Sequence, residues 1–107
     1  MGELFFQAEM KIKNADGLHM RPAMQFVDVA SRFKSRIMVI KGDVEVDGKS
    51  IMQVSMLAAT YGTTLSVKAE GADAKKAVEA LRELVEVKLF GEPPPAEEET
   101  VNAQKGL

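Results

Sequence analysis

The fold is decided by one stretch, Gly-Leu-His-Met-Arg-Pro-Ala at residues 17–23, which stands between a strand pattern and a helix pattern. Pro22 is suited to the first turn of a helix, where the missing N–H of proline costs no hydrogen bond. Apolar residues at helical spacing follow from Ala23 to Ala30. The stretch therefore predicts a helix that begins beside His19, the single histidine of the chain.

His19 and Arg21 are residues that could form a site for an anion such as a phosphoryl group. Unpaired backbone N–H groups and the positive end of the helix dipole meet at a helix N-terminus, so a phosphoryl group on the imidazole would be stabilised there. The guanidinium of Arg21 adds a fixed charge and several donors. From the residues alone, two alternatives stay open: a solvated or capping histidine, and a ferredoxin-like binding or hydrolase domain in which both residues hold a ligand anion.

The rest of the chain alternates between strand and helix patterns. Strands are predicted over residues 4–12, 37–40, 44–46 and 64–70, and helices from the His19 stretch to residue 31 or 33, over 51–60 and over 74–89. The order β-α-β-β-α-β-α predicts an α+β fold of the split β-α-β kind, with one antiparallel sheet and its helices on one face.

Composition limits the size, the chemistry and the partners of the protein. A chain of 107 residues has room for one domain, which we expect over residues 1–91, and the segment 92–107 is rich in proline and glutamate and is predicted to be a disordered acidic tail. No cysteine and one histidine argue against a metal site, and no cofactor motif is present. The polar start and the absence of a long apolar run predict a cytoplasmic protein without membrane insertion. The sequence has no cluster of basic residues with interleaved aromatics, which argues against a nucleic-acid partner.

Two motifs resemble one known family. The stretch at residues 17–23 resembles the active-site signature of HPr, the histidine-containing phosphocarrier family of the bacterial phosphotransferase system, and Gly-Lys-Ser-Ile-Met at residues 48–52 resembles its regulatory serine segment. The second motif lies at the distance from the first that the family has. The resemblance covers about residues 6–90 and implies an open-faced β-sandwich, in which three helices cover one face of a four-stranded antiparallel sheet.

The resemblance also implies a role in sugar transport. His19 would accept a phosphoryl group on Nδ1 from phosphorylated enzyme I and pass it to an enzyme IIA-type domain, while Arg21 stabilises the phosphate and Pro22 fixes the helix start. Such a protein carries phosphate as a phosphohistidine and is not a stand-alone turnover enzyme. It needs no cofactor and is expected to be a monomer.

Ser50 has two interpretations. It is a good N-cap for the helix that follows, and by resemblance it is the target of an HPr kinase/phosphorylase. If that switch, or the phosphorylation state of a nitrogen-type system, is the working output, the protein is a regulatory phosphoswitch without a role in sugar uptake.

Four apolar residues are predicted to dock partners: Met20, Ile51, Met52 and Met56. For the last three a place in the core is the alternative. Met20 replaces the small residue usual in the family, and Gln53 and Ala58 stand where the family commonly has glycine. We expect these two replacements to stiffen the short second helix, and all three to affect partner choice.

Overall fold

A computed structural model describes residues 4–96 of the chain. The elements run β1 (Phe5–Lys11), α1 (Met20–Ala30), β2 (Arg36–Lys41), β3 (Val44–Asp47), α2 (Ile51–Met56), β4 (Thr64–Glu70) and α3 (Ala74–Arg82). A π-helical turn (Glu83–Val87) and a 3₁₀ turn (Leu89–Gly91) then continue the chain from α3. This is the predicted β-α-β-β-α-β-α order.

The strands form one antiparallel sheet in the order β1-β4-β2-β3. Val67 of β4 is at the centre, because it pairs with Ala8 of β1 on one side and with Val39 of β2 on the other. Alternate residues of each strand point to the same face, and on β4 these are buried. The sheet is open, and the predicted α+β fold is confirmed.

The helices cover the buried face of the sheet with apolar stripes. The stripe of α1 consists of Pro22, Ala23, Phe26, Val27 and Ala30, and that of α3 consists of Ala74, Ala77, Val78 and Leu81. Both stripes follow the helical spacing read from the sequence. They enclose a single core, which fixes the start of α1, and with it His19, at one end of the sheet.

All three helices end earlier than the sequence pattern predicts, the first by only one to three residues, at Ala30. The second helix stops at Met56 and not near Thr60, and Ala58 has a left-handed backbone (φ 50°). The expectation that Ala58 stiffens this helix is therefore wrong, because the residue lies beyond its end. The third helix gives way to a π turn after Arg82, so regular α-helix does not reach Leu89.

The predicted tail is described only as far as Ala96, and residues 97–107 of it lie outside the described residues. Between residues 4 and 96, none of the helices has the length and apolar character that a membrane span requires.

Candidate functional site

His19 is the N-cap residue of α1. Its backbone is extended (φ −81°, ψ −169°), and its carbonyl oxygen accepts the first helical bond, from the N–H of Ala23 at 2.9 Å. The N–H groups of Met20 and Arg21 precede that bond and have no acceptor within the helix. The imidazole, 41% exposed, therefore stands at the positive end of the helix beside donors suited to an anion.

The loop before His19 is tied to the α2–β4 connection. Gly17 has a left-handed backbone (φ 71°) and packs directly against Ala59 and Thr60. Next to it, the N–H of Leu18 donates to the Ala59 carbonyl oxygen at 2.8 Å. These contacts set the position from which the chain enters α1.

Glu92 makes the closest polar contact with the His19 ring. Its Oε2 lies 2.9 Å from His19 Nε2 and its Oε1 lies 3.2 Å from the same nitrogen. The buried side chain of Asn14 donates through Nδ2 to Glu92 Oε1 at 2.9 Å and to the Gly17 carbonyl oxygen at 2.8 Å. Asn14 thus shapes the loop, and it also orients the carboxylate.

The sequence did not single out Glu92, because it falls in the segment whose composition predicts a disordered tail. One available signal is its separation from the other tail glutamates: it comes three residues after the predicted end of the third helix, and three prolines and an alanine stand between it and Glu97. Prolines restrict the backbone and so favour a defined path for the chain.

Charges of both signs surround the His19 ring. Asp16, His19 and Glu92 bring ligand atoms within 4.8 Å of one another, a spacing that a small cation could bridge. The positive end of the helix dipole and the exposed guanidinium of Arg21 would repel a cation. Arg21 lines the same groove as His19. A site for a phosphate-sized anion and not a metal ion therefore stays a prediction.

An apolar groove of about 950 Å³ adjoins His19 and Arg21. Met20, Met24 and Ile51 line it, and all three are at least 40% exposed. Met24 was not predicted from the sequence. Met52 and Met56 are 75% and 73% exposed but do not line this groove, so the residues predicted to dock partners are split between the groove and the outer side of α2.

Ser50 is the N-cap of α2 and lies beside the same groove. Its hydroxyl oxygen accepts a hydrogen bond from the Gln53 N–H at 3.2 Å, and the next residue, Ile51, lines the groove. The Gln53 side chain in turn accepts a bond from the Asp47 N–H at 2.9 Å, which ties α2 to the end of β3.

Comparison with known proteins points to one family. Residues 6–87 match the family model described as the PTS HPr component phosphorylation site. The chain is 45% identical over 83 residues to the phosphocarrier protein HPr of Neisseria meningitidis, an alignment that covers 78% of this chain and 92% of the relative.

Solved structures agree with this match. HPr-C-His from Thermoanaerobacter tengcongensis is similar with a TM-score of 0.77 and 42% identity, covering 81% of this chain and 97% of the other. An HPr dimer from the same organism is similar with a TM-score of 0.63 and 44% identity, covering 75% of this chain and 92% of the other.

Proposed function

Because the chain belongs to the HPr family, the phosphocarriers of the phosphotransferase system, we propose that His19 accepts a phosphoryl group from phosphorylated enzyme I and donates it to enzyme IIA-type proteins. The observation that carries this proposal is the position of His19 as the N-cap of α1. Backbone N–H groups without an acceptor in the helix lie at this end and can bind a phosphoryl group. Arg21, two residues further along the same turn, supplies the charge that a phosphoryl group needs.

The contact between Glu92 and Nε2 supports Nδ1 as the nucleophile. A carboxylate only accepts hydrogen bonds, so Nε2 carries the proton, and the lone pair of the neutral ring lies on Nδ1. In the transfer, a bond forms between Nδ1 and phosphorus while the donor's nitrogen–phosphorus bond breaks and its electron pair returns to the donor ring. Because the transition state is loose, donors around the phosphoryl oxygens matter more than a general base.

The test is phosphorylation with enzyme I and labelled phosphoenolpyruvate. We expect an acid-labile label on the wild type and none on His19→Ala, whose folding is checked by circular dichroism. Arg21→Ala should be labelled more slowly, because it keeps the nucleophile and loses the phosphate donor. An unlabelled wild-type protein beside a labelled standard HPr would refute the proposal, and hydrolysis of an acyl or phosphoryl substrate would then favour the binding or hydrolase alternative.

We further propose regulatory phosphorylation of Ser50 by an HPr kinase/phosphorylase. The observation that favours it is the position of Ser50 at the start of α2, next to Ile51 in the groove beside His19. A phosphate there would add negative charge to the surface that is proposed to dock enzyme I. Incubation with ATP and the kinase should give an acid-stable label that Ser50→Ala lacks. If this label forms and His19 is not labelled, the protein is a phosphoswitch without a role in sugar uptake.

Met20, Ile51, Met52 and Met56 are proposed to contact these partners, and an alanine variant of each should weaken binding of enzyme I without unfolding the protein. The working state is proposed to be a monomer in the cytoplasm, where phosphoenolpyruvate and ATP are available. Light scattering tests the monomer against the dimeric alternative represented by the related HPr dimer.

A further inference from the structure

We infer that Glu92 is a positioning residue for phosphoryl transfer at His19, where it holds the ring proton on Nε2 and stabilises the positive charge that the ring gains at Nδ1. The inference rests on the proposed function and extends it to a residue outside the two sequence motifs. It is carried by the contacts of the carboxylate and by the path of the backbone that delivers it.

The carboxylate is held on both oxygens. Both approach His19 Nε2, at 2.9 and 3.2 Å, and Oε1 also accepts the bond from the buried Asn14 amide. The side chain of Glu92 is only 12% exposed, in contrast to 41% for the histidine. Partial exclusion of water and a fixed second partner make this a stronger contact than an exposed ion pair.

The backbone around Glu92 is fixed on both sides. Before it, Leu89 and Phe90 both have left-handed backbones (φ 50° and 56°), although neither is glycine, and the Gln25 amide donates to the Phe90 carbonyl oxygen at 3.2 Å. After it, the Pro93 carbonyl oxygen accepts a bond from the Ala15 N–H at 3.0 Å. A left-handed backbone is unfavourable for residues other than glycine, and such residues cluster at functional sites. The two at Leu89 and Phe90 therefore suggest that the position of Glu92 matters for function.

A carboxylate beside Nε2 of His19 would assist both steps of phosphoryl transfer. When Nδ1 bonds to phosphorus with the proton still on Nε2, the ring becomes positively charged, and a carboxylate on Nε2 lowers the energy of that charge. In the donation step the ring leaves with the same proton, as neutral imidazole and not as an anion. The proton therefore stays on Nε2 through both steps, and Glu92 keeps it there.

The experiment compares Glu92→Ala and Glu92→Gln with wild type in single-turnover labelling by enzyme I and phosphoenolpyruvate. We expect transfer to slow about tenfold in the alanine variant, the effect of losing one charge-assisted hydrogen bond, and about threefold in the glutamine variant, which keeps an acceptor. Glu79→Gln removes an equal charge from the exposed side of α3 and should leave the rate unchanged. Thermal unfolding shows that each variant is folded.

A second readout separates positioning from a structural role. Long-range ¹H–¹⁵N spectra of the ring at alkaline pH should show wild-type His19 protonated on Nε2, and a gain of the Nδ1–H form in Glu92→Ala. Slower transfer by Glu92→Ala with an unchanged tautomer overturns the inference. Transfer at or above the wild-type rate also overturns it, because Glu92 would then have no effect on transfer or would inhibit it. Either result leaves the phosphocarrier proposal standing, whereas an unlabelled wild type removes the proposal itself.

Discussion

Replacing Gly17 by alanine tests how the loop before His19 is held. A Cβ on Gly17 would lie 2.6 Å from the Ala59 carbonyl oxygen and 2.9 Å from the Thr60 Cα, both of them backbone atoms that have no free rotation by which to move aside. The residue also has a left-handed backbone (φ 71°). Gly42, in the β2–β3 turn, shares the left-handed backbone (φ 58°) but has nothing within 4 Å of the same position, so it is a matched control.

The two substitutions should differ by the cost of the clash. Both place a side chain in the left-handed region, which costs about 1–2 kcal/mol. In Gly17→Ala the loop must also withdraw from Ala59, whose carbonyl oxygen accepts the Leu18 N–H, and the loss of a buried hydrogen bond costs about 1–3 kcal/mol. We therefore expect the free energy of unfolding to fall by about 2–5 kcal/mol in Gly17→Ala and by about 1–2 kcal/mol in Gly42→Ala.

Urea denaturation followed by circular dichroism measures both values, with phosphorylation of His19 as a second readout. Gly17→Ala should also be labelled more slowly, because the loop sets the entry into α1, while Gly42→Ala should be labelled normally. Equal losses of stability in the two variants would refute the reasoning, since the close approach to Ala59 would then have no energetic weight.

Three further substitutions have expected outcomes. Leu81→Ala removes a fully buried side chain of α3 and should lower the free energy of unfolding by about 2–5 kcal/mol, measured by urea denaturation. Ser50→Ala removes the acceptor at the start of α2 and, because that hydrogen bond is long, should cost only about 0.5–1 kcal/mol; a larger loss in the same assay would mean that Ser50 does more than cap the helix. Hydrogen bonds from the Ser35 hydroxyl and the Lys34 N–H lower the pKa of Asp73 from 3.8 to about 2, so its contribution to stability is complete above about pH 3.8 and is lost as the pH falls to about 2. Unfolding measured across this range should show that the stability difference between wild type and Asp73→Asn shrinks towards low pH, and a constant difference would mean that these hydrogen bonds do not lower the pKa of Asp73.

The fold could be predicted from the sequence because its signals are local and agree with one another. Alternation over residues 64–70 and helical spacing from Ala23 to Ala30 each define a buried face, and only one face of the sheet is covered. The end of the second helix could not be predicted in the same way. Residues 57–60 continue an apolar pattern, but two of them, Leu57 and Ala59, are buried by contacts outside regular helix, and Ala58 between them turns left-handed.

The candidate site was predictable where it is local in sequence and not where it is assembled by the fold. His19, Arg21 and Pro22 stand in one helix start, so their proximity follows from helix geometry alone. Glu92 lies 73 residues from His19, and it reaches the ring only because the turns after α3 redirect the chain. No periodicity reports such a contact, and the prolines after Glu92 favour a defined path for the chain without indicating which residue Glu92 meets.

A carrier has to release the phosphoryl group as well as accept it, so the charges around His19, the proposed acceptor, affect both steps. The N-terminus of α1 and Arg21 favour the phosphorylated form, and acting alone they would also hold the group back from the next acceptor. Glu92 acts on the ring through Nε2, where it stabilises the positive charge that the ring gains when Nδ1 bonds to phosphorus and loses again on discharge. Substitutions on the two sides should therefore act in the same direction: loss of Arg21 or of Glu92 should slow formation of the phosphoprotein and shorten its life.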